Sequence, residues 1–254
     1  MLILGELLAI MGPSGSGKTS LLNIISGRVR EGVTGDIYYN NRLGTKGLKR
    51  RIGYVMQSDV FFENLTTEQH LTYMAQLRLP QELKLAEKQE MVTQTAELLG
   101  LGRSLPTPLY RLSGGERRRV NVATELVADP SVLFLDEPTS GLDSSTAFRL
   151  TKSLREVSSE GRTIIATIHQ PSSQIYRMFD NLLLLADGHT VYFGPAANMV
   201  TYFESLGYPF MPLYNPADFM SLFHVVFYAH RIESLILSCS GNGFGRIAGQ
   251  SKAH

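Results

Sequence analysis

Cysteine is nearly absent from this sequence: Cys239 is the only one in 254 residues. No internal disulfide can form, which fits a reducing compartment. Charge of one sign is also missing. Lys and Arg number 24 against 23 Asp and Glu, a net of +1, so there is no electrostatic footprint for nucleic acid or an acidic membrane. Long apolar runs are missing too. The best candidate, residues 219–238, is interrupted by His224, His230, Arg231 and Glu233, and no run of ~20 apolar residues survives to span a membrane. The opening MLILGELLAIMG lacks a basic leader and a small-residue cleavage site and runs straight into a glycine-rich loop, so it reads as a buried strand, not a signal peptide. No internal repeat and no low-complexity tract is visible.

What is present is an alternation of short apolar runs with helical patterns. Residues 7–11 form a strand, and residues 19–26 carry Leu21, Leu22, Ile24 and Ile25 at helical spacing until Gly27. Strands are expected at 36–40, before a turn at Asn40-Asn41, and at 52–56. Thr66 and Gln69 make a capping-box pattern for a helix that Pro80 ends, and a second helix over 83–99 closes at Gly100. Residues 102–112 read as a loop, 120–128 as a helix, 132–135 as a strand and 144–158 as a helix. Strands follow at 163–168 and 182–185. Asp187-Gly188 turns the last into a hairpin with 191–193, and a short helix covers 198–206. This order predicts an α/β fold with a mostly parallel sheet and an all-helical insertion at about 64–128.

Three stretches carry chemistry. GPSGSGKT fits G-x-x-x-x-G-K-[ST]: its glycines let consecutive N–H groups turn inward around phosphates, and the following helix adds its dipole. Lys18 would bridge the terminal phosphates and Thr19 would offer its hydroxyl to Mg²⁺. VLFLDE delivers Asp136 at the carboxyl end of an apolar strand, where α/β sheets place ligands. Asp136 would complete the metal shell, and Glu137 would polarise a water. LSGGERRR sets Ser113, Gly114 and Gly115 immediately before a helix. Locally it reads either as a second anion site, shared between two subunits, or as a capped helix with a basic, solvated first turn.

The sequence resembles the nucleotide-binding domain of an ATP-binding cassette (ABC) transporter. LSGGE is similar to that family's LSGGQ signature, GYVMQ at Gln57 to its Q-loop, SGLD (140–143) to its D-loop, and ATIHQP at His169 to its switch histidine, all in family order. GELLAIMGPSGSGKT, GYVMQSDVFFENLT, LDEPTSGLDSSTA, TIHQPSSQIY and NPADF resemble the G subfamily, the white/pigment-precursor and multidrug half-transporters, over about residues 5–220.

The resemblance implies a P-loop NTPase, RecA-like core with a helical signature subdomain. It also implies an ATPase that pairs head-to-tail with a second cassette around two ATP molecules and drives a transmembrane domain from the cytoplasmic face of a membrane. By that resemblance Gly12, Pro13, Ser14, Gly15, Ser16, Gly17, Lys18, Thr19 and Ser20 would wrap the phosphates. Thr19, Gln57 and Asp136 would serve Mg²⁺. Glu137 would be the base, and His169 would contact the γ-phosphate. Gln57 would also report to the membrane domain. Ser113, Gly114, Gly115 and Asp143 would belong to the shared nucleotide site, the signature residues reaching the ATP held by the opposite subunit.

Three departures set further expectations. Strands upstream of GELLAI, with an aromatic ring for adenine worth ~1 kcal/mol, are expected but not seen, so the β-subdomain is expected to be incomplete. The 102–112 loop is short enough to displace the helix that presents Ser113. Residues 221–254 resemble nothing in the family and, being Gly/Ser-rich at the end, are expected to form an atypical, poorly ordered tail. A truncated gene product acting as a non-catalytic remnant is therefore the alternative to a working ATPase. A soluble cassette of translation or DNA repair would carry paired cassettes or a coiled-coil insertion, and a simple P-loop kinase or GTPase leaves LSGGE unexplained.

Overall fold

In the computed structural model, residues 5–39, 42–43, 51–58, 61–208 and 215 are described. The first strand, β1 (Leu7–Met11), is buried at every position. A run apolar on both faces needs cover on both faces, and it finds it in the middle of a six-stranded sheet. The other strands are β4 (Ile52–Val55), β5 (Val132–Leu135), β6 (Thr163–Thr167), β7 (Asn181–Ala186) and β8 (His189–Pro195), in the order β4-β5-β6-β1-β7-β8. All neighbours are parallel except the β7–β8 hairpin. A separate antiparallel pair joins β2 (Tyr38–Tyr39) to β3 (Arg42–Leu43). Of the expected strand over 36–40, the described residues form strand at Tyr38–Tyr39, and residue 40 and the expected turn at 40–41 lie outside the described residues.

Alternate side chains divide the core. Leu8, Ile10, Phe134 and Ile165 face helix α1 (Lys18–Ile25) through Leu22. Leu7, Ala9, Leu133, Leu135, Ile164 and Ala166 face the other way, onto helices α4 (Gly114–Leu126) and α5 (Ser144–Ser159). Helices α2 (Thr67–Arg78) and α3 (Leu85–Leu98) pack with α4 as the inserted helical unit. The Thr66–Gln69 capping box forms in both directions, and Gly100 takes the left-handed conformation (φ +64°) that ends α3.

Two expectations change here. Helix α4 begins at Gly114, six residues before the expected position 120, because Ser113 and Glu116 form a reciprocal capping box that offsets the poor helix propensity of two glycines. The 102–112 segment, expected as a loop, contains two short 3₁₀ turns and is tied down. Thr67 N donates to Thr107 O (3.0 Å), Glu68 N to Leu105 O (3.0 Å) and Leu109 N to Leu65 O (2.9 Å), while Leu101, Leu109 and Leu112 are buried. Two short helices complete the described chain, α6 (Ser173–Tyr176) and α7 (Met199–Ser205). Among the described residues no helix is long and apolar enough to cross a membrane.

Candidate functional site

Register brings the candidate residues into one row. Val55 pairs with Leu135, Leu135 with Ala166, and Ala166 with Ala9. Asp136 and Thr167 therefore stand next to each other at the carboxyl edge of the sheet, with Gln57 and Gly12 just beyond the ends of the flanking strands, where parallel sheets present their ligand sites.

The loop between β1 and α1 is shaped by close backbone approach. At Gly12 (φ +151°) a Cβ would lie 2.2 Å from the Leu185 carbonyl oxygen and 2.7 Å from Ser16 Oγ, so no side chain fits. The turn of the β7–β8 hairpin supports the loop from behind, with Gly188 N donating to Ser16 O (3.1 Å). Lys18 Nζ donates to Gly12 O (2.9 Å) and Pro13 O (2.8 Å). Its pKa is pulled below the usual lysine value, chiefly by burial and against the attraction of Glu137 and Asp136. Ser16 Oγ is buried without a hydrogen-bond partner in the protein. An orphan hydroxyl and a partly desolvated ammonium beside a ring of backbone donors fit an anionic phosphate chain. Ser14, Gly15 and Ser20 are solvent-exposed around this cradle, and Gly17 caps α1 at φ +93°.

Asp136 is 5% exposed and receives two hydroxyls on one oxygen: Thr19 Oγ1 at 3.0 Å and Thr167 Oγ1 at 2.7 Å. Thr167 Oγ1 also accepts from Glu137 N (2.8 Å). Among the described residues no three His, Cys, Asp or Glu side chains gather as a metal cage. One carboxylate with a hydroxyl beside a phosphate cradle is the donor set of Mg²⁺, which keeps waters and takes phosphate oxygens. Glu137 is held at φ +46°, an uncommon conformation for a non-glycine residue, and Gln57 Nε2 donates to its Oε2 at 2.9 Å.

Glu137, Ser14, Ser140, His169 and Gln170 line a cleft of 510 Å³. His169 is exposed at its lip, followed by Gln170 at φ +42°, and Asn215 of the NPADF stretch donates to Pro171 O (2.9 Å).

The signature residues stand apart. Ser113 Oγ donates to Glu116 Oε2 (2.6 Å), and Gly115 lies against Thr146 at the start of α5. Neither lines the cleft of Ser14, Glu137 and His169. Glu116 also receives Ser104 Oγ (2.6 Å), and these hydrogen bonds, that from Ser104 foremost, hold its carboxyl below the usual range. Asp143 caps α5: it accepts from Ser145 N and Thr146 N (3.0 Å each) and from Thr146 Oγ1 (2.6 Å), and the Thr146 hydroxyl leads in lowering its pKa.

Two residues of the site escape a motif reading. Thr167 is the last residue of the TIIAT strand, a hydroxyl at the sheet's carboxyl edge and the local sign of its role. Arg118, buried on α4, donates to the carbonyls of Met56, Gln57, Asp136, Glu137 and Pro138. Its spacing from Val122 and Leu126, i, i+4 and i+8 on one helix face, marks it as inward.

Beside the site, Phe61, Phe62, Leu65, Tyr73, Met74 and Leu77 line an apolar cleft of 930 Å³. Phe62 is 77% and Leu77 80% exposed.

Comparison with known proteins agrees with this geometry. The ABC transporter family matches residues 2–140, and an ABC-2 type transporter family matches residues 169–228. The second match takes in the first residues of the stretch expected to resemble nothing. ABC transporter G family member 21 of Arabidopsis thaliana is 47% identical over 222 residues, covering 85% of this chain and 33% of that protein. ABC transporter G family member 1 of Dictyostelium discoideum is 46% identical over 223 residues (85% and 28%). The broad substrate specificity ATP-binding cassette transporter ABCG2 of Sus scrofa is 45% identical over 217 residues (83% and 33%). The chain thus spans about a third of the length of the curated relatives it matches. Among solved structures, a nucleotide-free ATP-binding cassette from an ABC transporter superposes with a TM-score of 0.68 at 21% identity, over 80% of this chain and 85% of that one. An ABC transporter cassette in its ADP conformation gives 0.68 at 22% identity, over 80% and 87%. With the family match over more than half its length, the chain belongs to the ABC transporter family.

Proposed function

We propose that this chain binds and hydrolyses Mg²⁺·ATP as one half of a head-to-tail pair of cassettes, and that turnover drives transport through a membrane domain on whose cytoplasmic face it sits. The observation that supports this most is the continuous chain of contacts Thr19–Asp136–Thr167–Glu137–Gln57, set beside Lys18 at one sheet edge. Residues 12–20 hold the phosphates, and Lys18 places its ammonium among their oxygens. Thr19 and Asp136 hold Mg²⁺, with Gln57 beside them; when bound, the ion neutralises phosphate charge. Glu137 accepts the proton of the attacking water, its carboxylate aimed by Gln57, and His169 steadies the γ-phosphate from the lip of the cleft.

Ser113, Gly114 and Gly115 do not line the cleft of Ser14, Glu137 and His169, which suits contact with a neighbour's triphosphate. Asp143, at the adjoining helix start, belongs to the same contact. The apolar cleft beneath Phe62 and Leu77 suits an apolar segment of the membrane domain, and the ABC-2 match over 169–228 is in keeping with such a partner.

The test is ATP turnover by the purified chain beside Glu137→Gln. The substitution should lower kcat ~10²- to 10⁴-fold while nucleotide binding persists and a nucleotide-dependent dimer accumulates. Equal turnover in both proteins would remove Glu137 from the chemistry.

A further inference from the structure

The Arg118 side chain reaches both halves of the nucleotide machinery. Arg118, 5% exposed, belongs to the helix that Ser113 caps, yet its guanidinium lies at the carboxyl ends of β4 and β5. Nε donates to Pro138 O (3.1 Å), Nη1 to Met56 O (2.8 Å) and Gln57 O (2.9 Å), and Nη2 to Asp136 O (2.8 Å) and Glu137 O (2.9 Å). A guanidinium has five N–H donors in a fixed plane, and here five carbonyls from two separate segments receive them. Lysine offers three donors from a single point and cannot span that fork.

We propose that Arg118 is a positioning residue that couples the two nucleotide sites of the cassette pair. This rests on the paired-cassette function proposed above. In such a pair Ser113 engages the partner's nucleotide while Glu137 and Gln57 of the same chain act on its own. The rigid fork makes the start of α4, the Gln57 backbone and the Asp136–Pro138 backbone move together. Seating of Ser113 on the neighbouring triphosphate then fixes where Glu137 stands over its own.

Arg118→Lys is the test, in the full chain. Wild-type ATP turnover should be cooperative, with a Hill coefficient above one. In Arg118→Lys the coefficient should fall to about one and kcat should drop ~5- to 150-fold, the span of ordinary site–site coupling. ADP affinity of the monomer should stay within about twofold, because residues 12–20 are untouched. A variant that keeps the Hill coefficient and kcat overturns the proposal. So does one whose kcat, ADP affinity and melting temperature fall together, which is what a merely structural pin would give.

If Arg118→Lys fails to fold, hydrogen exchange decides. With a non-hydrolysable ATP analogue, wild type should gain protection at 114–118, 56–58 and 136–138, and Ser113→Ala should lose all three gains. Loss at 114–118 alone overturns the coupling. Wild-type turnover and pairing without cooperativity would sink the coupling and leave the ATPase standing. No nucleotide-dependent pairing at all would sink the paired-cassette function itself.

Discussion

Gly114 and Gly115 are neighbours in the signature, and alanine should affect them in opposite ways. At Gly114 an added Cβ meets nothing within 4 Å. Alanine there removes unfolded-state freedom and improves helix propensity, worth ~0.4–1 kcal/mol of added stability. At Gly115 the Cβ would sit 2.4 Å from Thr146 Cγ2, against an ordinary carbon–carbon contact of about 3.5–4.0 Å. More than an ångström must be absorbed. Thr146 cannot simply rotate away, because it is β-branched and its hydroxyl donates to Asp143 Oδ2 at 2.6 Å. Overpacking costs ~1–3 kcal/mol, and breaking the cap hydrogen bond adds about 1 kcal/mol.

Thermal melts followed by circular dichroism read these values at ~2–4 °C per kcal/mol for a domain of this size. Gly114→Ala should melt slightly higher than wild type and Gly115→Ala several degrees lower. Thr146→Ser, which deletes the offending methyl, should restore most of the loss in the double variant. Turnover supplies the second arm. Gly114→Ala, folded and if anything more stable, should still lose ATP hydrolysis, since its new methyl stands in the open space where a neighbour's phosphate is expected. A stable Gly114→Ala with full turnover would refute a phosphate-reading role for this corner, and an unperturbed Gly115→Ala would refute the α4–α5 packing.

Two further predictions follow from the site and its surroundings. Thr167→Val keeps the shape but removes the hydroxyl shared by Asp136 and the Glu137 amide. It should cost ~1–3 kcal/mol in urea unfolding and lower kcat more than it raises KM. His70 is buried, with Nε2 3.0 Å from Thr124 Oγ1 and Phe61 edge-on at 5.3 Å, and burial pulls its pKa below 6.5. A depressed folded pKa means the unfolded chain takes the proton first. Stability should therefore be flat with respect to this group above pH 6.5, and should fall by up to ~1.4 kcal/mol per pH unit from there down to the folded pKa. Urea titrations from pH 7.5 to 5 with and without His70→Gln would show the slope disappear in the variant.

The sheet was legible because parallel strands are buried on both faces: LLAIM and VLFL stand out as uninterrupted apolar runs, and TIIAT as a β-branched run with an apolar middle. The cradle was legible because glycine, lysine and threonine at those spacings have a mechanical reason to occur together. The start of α4 was set too late because helix propensity argues against two glycines, although Ser113 and Glu116 stand at the same capping-box spacing as Thr66 and Gln69. Thr167 and Arg118 escaped for a different reason. Arg118 binds backbone carbonyls and Thr167 a backbone amide and the Asp136 carboxylate, all supplied by segments distant in the chain, and such partners leave no local sequence signature. The short turns within 102–112 were hidden among loop residues, because their order comes from bonds to residues 65, 67 and 68.

The Asp187-Gly188 turn, with both residues left-handed (φ +49° and +74°), looks from outside like a dispensable surface bend. Its glycine amide rests on Ser16, and the strand leading into it leaves no room for a methyl at Gly12. A reporter or epitope inserted at that bend would therefore press on the nucleotide cradle from some 170 residues downstream. Substitutions at 185–188 belong on the same map as those at 12–16 when variants of this chain are sorted by what they disturb.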